Sequence, residues 1–436
     1  MEELGMSIGN LDRRMVLKLG AASALLPALS GIALAQGQSG TIRIWTFLSA
    51  EGQSPREVVL RELIEKFTAA NPDVSVVVEA QPFQELETKF VAASAQNRAP
   101  DIIWMRDTFL DLVNQRGALA NLDDELSADF QSNVIPDLYP VFAEKSVMDG
   151  VRTSLPLWPS PAQILFYRKD ALAEIGLDAP PLTWDEFIPV AGKLTSGDRL
   201  GFGLPTNDNS VSAFINMMTG FGPGIFDAAT GQFDVTGPEA VETANVVRQL
   251  VAAGALSSTL LNAMGDDIQD QFAAGRFAIV QAFAPRFAQY KSIAAAYDPN
   301  DLAVSAWPAF GDRPPAVLLG PYWTVGVSAK SENKAAATAF VEALYTPEAS
   351  MQWAEVAGLV PDRRSVQSDP FFSTPEAESI AVFNALLDAP GALTFPPKLP
   401  DITKVFPIMN TALQELIGTD EDVGAILERA KATLGW

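Results

Sequence analysis

Residues 41–105 alternate between the patterns of strands and helices. Thr41–Phe47 alternates apolar and polar side chains as a strand does, and 59–67 then repeats apolar residues at helical spacing before Asn71-Pro72. A strand over 74–78, a helix over 86–95 and a short buried strand over 101–105 follow. This β-α-β-α-β order predicts a parallel sheet with helices on both faces, because parallel strands need crossover connections.

The same kind of alternation returns later in the chain. Short strands are expected at 201–204, 277–281 and 302–306, with helices between them near 211–219, 238–253 and 266–274. The proline-dense stretch 155–161 separates this second unit from the first. With 436 residues, the chain is long enough for two domains of this kind.

The composition excludes several classes of function. There is no cysteine and no histidine, which excludes disulfides, thiol nucleophiles, Cys/His zinc sites and Ser-His-Asp triads. It also excludes a lipid-modified N-terminal cysteine. The formal net charge of −23 argues against nucleic acid and anionic membrane surfaces as partners, because both attract basic patches.

The first 35 residues have the pattern of an export signal. Arg13 and Arg14 form a basic start, the modest apolar run 19–34 follows, and Ala33-Leu34-Ala35 is typical of a cleavage site. The paired arginines resemble a twin-arginine signal. We therefore expect residues 1–35 to be removed, and the mature chain to begin near Gln36 in the periplasm, free rather than lipid-anchored.

Five short segments follow one another along the mature chain: 100–104 (PDIIW), 165–170 (LFYRKD), 183–186 (TWDE), 272–275 (FAAG) and 357–361 (AGLVP). In this order they resemble the family 1 extracellular solute-binding proteins of ABC importers, the group that includes maltodextrin-binding proteins. The resemblance covers nearly the whole mature chain, and the order of the segments makes it specific.

This resemblance implies an α/β periplasmic-binding-protein fold with two discontinuous lobes joined by a hinge. Residues 36–157 and 308–360 are assigned to lobe 1, and residues 158–307 and 361–436 to lobe 2. The implied function is capture of a sugar, oligosaccharide, polyol or sugar acid, which is then delivered to the membrane permease of an ABC importer. The protein is expected to be a monomer without cofactor, metal or catalytic residues.

Ligands of open α/β sheets bind outside the carboxyl ends of the strands. In lobe 1 this predicts binding residues in the loops after the strands and at the crossing to lobe 2, where the family contacts solute. A place in the core is the alternative for Trp45, and a purely structural role is the alternative for Trp158. The candidates of this group are Trp45, Glu51, Gln84, Arg106, Asp107, Trp158, Ser160 and Gln163.

The remaining candidates come from lobe 2 and from the segment 308–360, in which the chain returns to lobe 1. Arg286 stands in a loop where relatives commonly have a sugar-stacking tryptophan. It can donate to a carboxylate or to several hydroxyls, so an acidic sugar or sugar phosphate stays open as the solute, with a surface salt bridge as the alternative role. Turn formation is the alternative for the two asparagines. These candidates are Asn207, Asn209, Phe283, Arg286, Tyr322, Trp323, Asp362, Arg363 and Phe406.

A secreted carbohydrate-active enzyme is the competing interpretation. Asp107 and Glu51 would then act as a carboxylate pair of the glycosidase type. The family resemblance favours the binding protein.

Overall fold

A computed structural model describes residues 40–158, 163–208, 211–227, 231–283, 286–314, 317–318, 322–388, 393–394 and 402–436. The predicted export signal, Ser160 and Asn209 lie outside these residues. The strands are β1 Gly40–Thr46, β2 Val74–Ala80, β3 Ile102–Arg106, β4 Val147–Met148, β5 Val151–Arg152, β6 Leu155–Leu157, β7 Ile164–Arg168, β8 Leu200–Gly203, β9 Phe277–Ala282, β10 Leu302–Ser305, β11 Val317–Leu318, β12 Trp323–Val327 and β13 Leu393–Thr394.

Helices alternate with these strands, and short 3-10 turns join many of the elements. The helices are α1 Pro55–Ala70, α2 Leu86–Ala95, α3 Leu110–Gln115, α4 Leu122–Glu125, α5 Pro140–Ala143, α6 Lys169–Ala173, α7 Trp184–Leu194, α8 Ala213–Met218, α9 Pro238–Ala252, α10 Gly265–Ala273, α11 Phe287–Ile293, α12 Lys334–Ala343, α13 Pro347–Ala357, α14 Glu378–Asp388, α15 Ile402–Gly418 and α16 Val423–Leu434.

The first large sheet has the strand order β2-β1-β3-β12-β6. β1 pairs in parallel with both β2 and β3, as the alternating pattern predicts. β12 lies outside residues 41–105, to which that prediction applies, and runs antiparallel to β3 and β6. β12 joins the sheet after the chain has returned from the second sheet, and no local crossover fixes its direction.

The second large sheet has the order β10-β7-β9-β8. Only β8 and β9 are parallel, whereas β7 runs antiparallel to both of its neighbours, β9 and β10. Both sheets lie between helices that cover their faces, and each has its own apolar core. The predicted two-unit α/β architecture is therefore confirmed.

Two large clusters of buried side chains form these cores. One contains Ile42, Ile44 and Trp104 of the first sheet together with the inner faces of α1, α12 and α13. The other contains residues of β7 and β9 packed against α7, α9 and the C-terminal helices α15 and α16. α1 buries Val59, Leu60, Leu63 and Phe67, as its spacing predicts.

The chain passes between the two large sheets three times. The passages are 158–163 between β6 and β7, 306–322 between β10 and β12, and 358–363 after α13. The limits of the two lobes stay a prediction. No helix of the described residues is long and apolar enough to cross a membrane.

Thr183 and Glu186 have the spacing of a capping box, but the start of α7 does not form one. Thr183 precedes the helix, but its hydroxyl donates to the Glu186 carboxylate at 3.1 Å and accepts no backbone N–H. The Trp184 backbone N–H donates instead to the Ala309 carbonyl at 3.1 Å. A tertiary contact therefore satisfies the helix start that a local motif was expected to satisfy.

Gly201 of β8 allows the closest helix approach in the second sheet. A Cβ added there would lie 1.7 Å from the carbonyl oxygen of Ala191 in α7, a backbone atom that cannot move aside easily. We expect Gly201→Ala to lower the free energy of unfolding by about 2–3 kcal/mol through overpacking. Chemical denaturation measures this loss.

Gly224→Ala is the matched control, because an added Cβ there meets no atom within 4 Å. Its effect should stay within about 0.5 kcal/mol. Equal stability of the two variants would show that α7 does not pack against β8 as described.

Candidate functional site

Polar and aromatic residues collect at one edge of the first sheet. β1, β3 and β6 end at this edge, and the antiparallel strand β12 begins there, with Trp323 opposite both Arg106 and Leu157. The residues just beyond the strand ends therefore come together. We call this set the first edge; it comprises Phe47, Phe83, Asp107, Trp158, Tyr322 and Trp323.

The corresponding edge of the second sheet lies close to the first. β8 and β9 end there and β7 begins there, with Ile164 opposite Ala282. Only five residue steps connect Trp158 to Gln163, and an extended chain covers at most about 18 Å in that length. The two edges are thus close neighbours at the first passage between the sheets.

Four aromatic rings form a wall at the first edge. Phe47 stacks on Trp323 with ring centroids 4.2 Å apart, and Phe83 meets both rings edge-on at 6.0 and 5.8 Å. Trp158 approaches Phe47 edge-on at 6.5 Å. The Phe83 side chain is exposed, and Trp323 is partly exposed. Such rings offer flat apolar faces to the C–H faces of a sugar.

Asp107 lies next to this wall and joins the ends of β3 and β12. Its carboxylate accepts the Tyr322 backbone N–H at 3.2 Å, and its own N–H donates to the Tyr322 carbonyl at 3.0 Å. Burial raises the pKa of Asp107 to about 7, although the nearby Lys145 opposes the shift. Near neutral pH this carboxyl group can either accept a hydrogen bond from a hydroxyl group or donate one to it.

Trp158 and Asp362 join two of the passages between the sheets. The Asp362 carboxyl is buried and accepts the Trp158 backbone N–H at 2.7 Å. Burial raises the pKa of Asp362 well above its ordinary range, with this hydrogen bond opposing the shift. Trp158 has a φ of +53°, which is uncommon for a residue other than glycine.

A pocket of about 160 Å³ lies at the edge of the second sheet. Among its lining residues are three of the predicted ones, Gln163, Phe283 and Arg286, together with Asp208 and Gln281. The Gln281 side-chain amide is buried without a hydrogen-bond partner, so it has unused capacity for a polar ligand. Arg286 forms an ion pair with Asp266 at 2.6 Å, which agrees with its alternative role in a surface salt bridge.

Two predicted residues of the first sheet are held by contacts within the protein. Trp45 lies in the strand rather than beyond it, and its Nε1 donates to Glu79 at 2.6 Å. Arg106 forms a two-pronged ion pair with the buried Glu87, with both distances 2.9 Å. The reason is electrostatic, because a buried carboxylate needs a charged partner.

Two further predicted residues are also held by contacts within the protein. Arg363 pairs with Asp137 at 2.7 Å and donates to the Tyr345 carbonyl at 3.3 Å. Phe406 is buried in α15 within the second core. Glu51, Gln84 and Asn207 are exposed in loops, and the Asn207 backbone N–H donates to the Ala263 carbonyl.

Some side chains at the two edges were missed in the sequence. Phe47 follows β1 directly, so the rule that ligands bind beyond the carboxyl ends of the strands applies to it as well as to Asp107. We call this the strand-end rule. Phe83 adjoins the predicted Gln84, and Gln281 stands within β9, where its position gave no signal. Arg56 carries a cation into the first turn of α1, where the helix dipole disfavours one, and that unusual placement was a usable signal.

Comparisons with known proteins identify related chains. The model of the bacterial extracellular solute-binding protein family matches residues 53–351, more than half of the chain. A protein of Brucella abortus (strain 2308), described only as a binding protein, is 25% identical over 416 residues, which cover 94% of this chain and 96% of the relative.

Solved structures share the fold at low sequence identity. The sugar-binding protein MalE of Xanthomonas citri has a TM-score of 0.75 and 18% identity, covering 90% of this chain and 96% of its own. The cyclic alpha-maltosyl-1,6-maltose binding protein of Arthrobacter globiformis has a TM-score of 0.73 and 18% identity, covering 91% and 98%. These likenesses confirm the two-lobed fold.

The raised pKa of Asp362 makes folding depend on pH. A carboxyl whose pKa is raised in the folded state stabilises the fold least at high pH, because ionisation is easier in the unfolded chain. Asp362→Asn keeps an oxygen acceptor for the Trp158 N–H but never ionises. We expect the stability of this variant, relative to the wild type, to rise from pH 5 to pH 8, by at most about 1.4 kcal/mol per pH unit.

Denaturant unfolding at several pH values measures this difference, and the contribution of Asp107 cancels because both proteins contain it. Asp362→Ala is the control, since it removes the acceptor at every pH and should destabilise the fold throughout. Parallel pH curves for wild type and Asp362→Asn would contradict the assignment.

Proposed function

The chain belongs to the bacterial extracellular solute-binding protein family, and from that premise we propose that it captures a sugar or sugar-like polar solute and delivers it to the permease of an ABC importer. The observation that carries the proposal is the proximity of the two sheet edges. One edge offers aromatic rings and a carboxyl group, and the other offers amide groups in a pocket. A solute bound between them would contact both lobes.

Capture follows from the energetics of two lobes that close around a solute. A solute that contacts both edges binds the closed arrangement better than the open one, and this difference shifts the population toward closure. The permease can then distinguish loaded from empty protein by shape. Most buried apolar side chains of the two large sheets lie in separate clusters, so we expect the sheets to move as units during closure.

We assign roles to the residues at the two edges by their chemistry. Trp323 and Phe47 provide a stacking surface, and Asp107 provides a hydrogen-bonding carboxyl group. On the opposite side, at the edge of the second sheet, Gln163 and Gln281 provide amide groups that bind hydroxyl groups of the solute. The family membership favours this role over the carboxylate-pair enzyme.

The cellular setting is also part of the proposal. The basic start, apolar run and Ala-Leu-Ala site of residues 1–35 support export by the twin-arginine route to the periplasm. The absence of cysteine from the sequence supports a free rather than lipid-anchored product. We propose that the exported protein acts as a monomer without cofactor.

Trp323 should carry a substantial part of the affinity. Its ring stacks on Phe47 and remains partly exposed at the first edge, so Trp323→Ala removes a surface on which a solute can stack. We expect the dissociation constant of a solute found in a sugar screen to rise about tenfold or more. Isothermal titration calorimetry on the purified protein measures the change.

Trp436→Ala is the matched control. Trp436 is also partly exposed, but it packs against Phe233 beside the last helix, α16. Its removal should leave affinity within about twofold of the wild type. Unchanged affinity in Trp323→Ala would show that the solute binds elsewhere.

Capture and catalysis also differ in what happens to the solute. A bound solute at about 100 times its dissociation constant adds about 2.7 kcal/mol of stability and leaves the mixture chemically unchanged. We expect a rise in melting temperature with no product detected by chromatography after prolonged incubation. Product formation that disappears in Asp107→Asn would support the enzyme and overturn the proposal.

A further inference from the structure

Arg56 differs from the other arginines near the first edge in having no anionic partner. Arg106 is paired with Glu87 and Arg363 with Asp137. In the described part of the chain, no carboxylate lies within ion-pair distance of the Arg56 guanidinium, and no hydrogen bond from it is found. Its ring contact is with Trp158, at the outer limit of a cation–π interaction, 6.0 Å from the centroid.

The position of Arg56 is set by the fold. α1 begins just after the loop that leaves β1, so its first turn lies at the first edge. The Trp158 ring beneath the guanidinium is fixed by Trp104 at 5.1 Å and Trp353 at 4.7 Å. Trp158 in turn contacts Phe47 of the Phe47–Trp323 stack, so the cation adjoins the aromatic wall at the first edge, where the solute is proposed to bind.

Within the described ranges, no carboxylate is paired with Arg56 to compensate for its charge. Burial lowers the pKa of its guanidinium, which is the direction expected when a cation loses water without gaining a partner. Its place in the first turn of a helix adds an unfavourable dipole interaction. The neighbouring Glu57 is occupied, because its carboxylate accepts from Ser54 and from the Ser49 backbone N–H.

The carboxyl groups at the first edge do not neutralise the positive charge of Arg56. Asp107 faces Lys145, and burial raises the pKa of Asp107 to about 7, so its negative charge is incomplete near neutral pH. The buried Asp362 has a pKa raised well above its ordinary range. A chain with a formal net charge of −23 thus has a partly dehydrated, unpaired cation where its solute is proposed to bind.

We propose that the Arg56 guanidinium binds an anionic group of the captured solute, a carboxylate or a phosphate ester. The guanidinium fork matches either group with two parallel hydrogen bonds. This inference rests on the proposed function, since it concerns a solute bound at the first edge. It replaces Arg286 as the basis for an acidic solute, because Arg286 is already paired with Asp266.

The test compares neutral and anionic members of matched sets on the purified full chain. The sets are glucose with glucuronate and glucose 6-phosphate, galactose with galacturonate, and glycerol with glycerate and glycerol 3-phosphate. Maltotriose extends the neutral group. We expect at least one anionic member to bind tenfold or more tightly than its neutral partner by calorimetry, and the carboxylate and phosphate arms separate the two chemistries.

Variants locate the preference on Arg56. In Arg56→Gln the preference for the anion should fall at least tenfold, whereas Arg56→Lys should retain part of it because the charge remains. Arg98→Gln removes an equal charge from an exposed arginine before β3, at the opposite edge of the same sheet, and should leave the preference unchanged. Circular dichroism melting curves verify that each variant is folded.

The outcomes separate the two levels of the proposal. If neutral solutes bind as well as their anionic partners, or if Arg56→Gln leaves the anion preference intact, the role of Arg56 is overturned while solute capture stands. If no neutral or anionic member binds, capture of a sugar-like solute fails, and the role of Arg56 fails with it.

Discussion

The hydrogen bond from the Trp158 backbone to the buried Asp362 carboxyl holds two passages between the sheets in one place. Trp158 directly follows β6, an edge strand of the first sheet, and Asp362 belongs to the segment that leaves α13 for the C-terminal helices. The rings of Trp104 and Trp353 both pack edge-on against the Trp158 ring. We call this hydrogen bond and its surrounding rings the joint. Its position determines which ends of the two sheets can face each other.

The joint also keeps Trp158 in an uncommon backbone conformation. A positive φ at a non-glycine residue costs on the order of 1–3 kcal/mol and persists only where surrounding contacts impose it. Here the contacts are the Asp362 acceptor and the aromatic cluster, and the result is a bend of the backbone directly after β6.

Local patterns in the sequence predicted most of the elements and part of the site. The helix expected at 86–95 is Leu86–Ala95, and the strand-end rule placed Asp107 at an edge correctly. Such local patterns do not predict contacts between residues that are distant in the sequence. Nothing local to Arg106 shows that Glu87, one helix earlier, would be buried against it, and Trp45 was misplaced because its side chain leaves the strand on the face shared with Glu79.

Counting charges in the sequence and pairing them in the structure lead to different conclusions about the solute. The sequence drew attention to Arg106, Arg286 and Arg363, and each of them has a carboxylate partner. A paired guanidinium can still donate a hydrogen bond, but its charge is already compensated. An anion gains most from a cation that has lost water and has no partner, because pairing then restores what burial removed. Of these four arginines, Arg56 is the one without a carboxylate partner among the described residues, and it adjoins the aromatic wall.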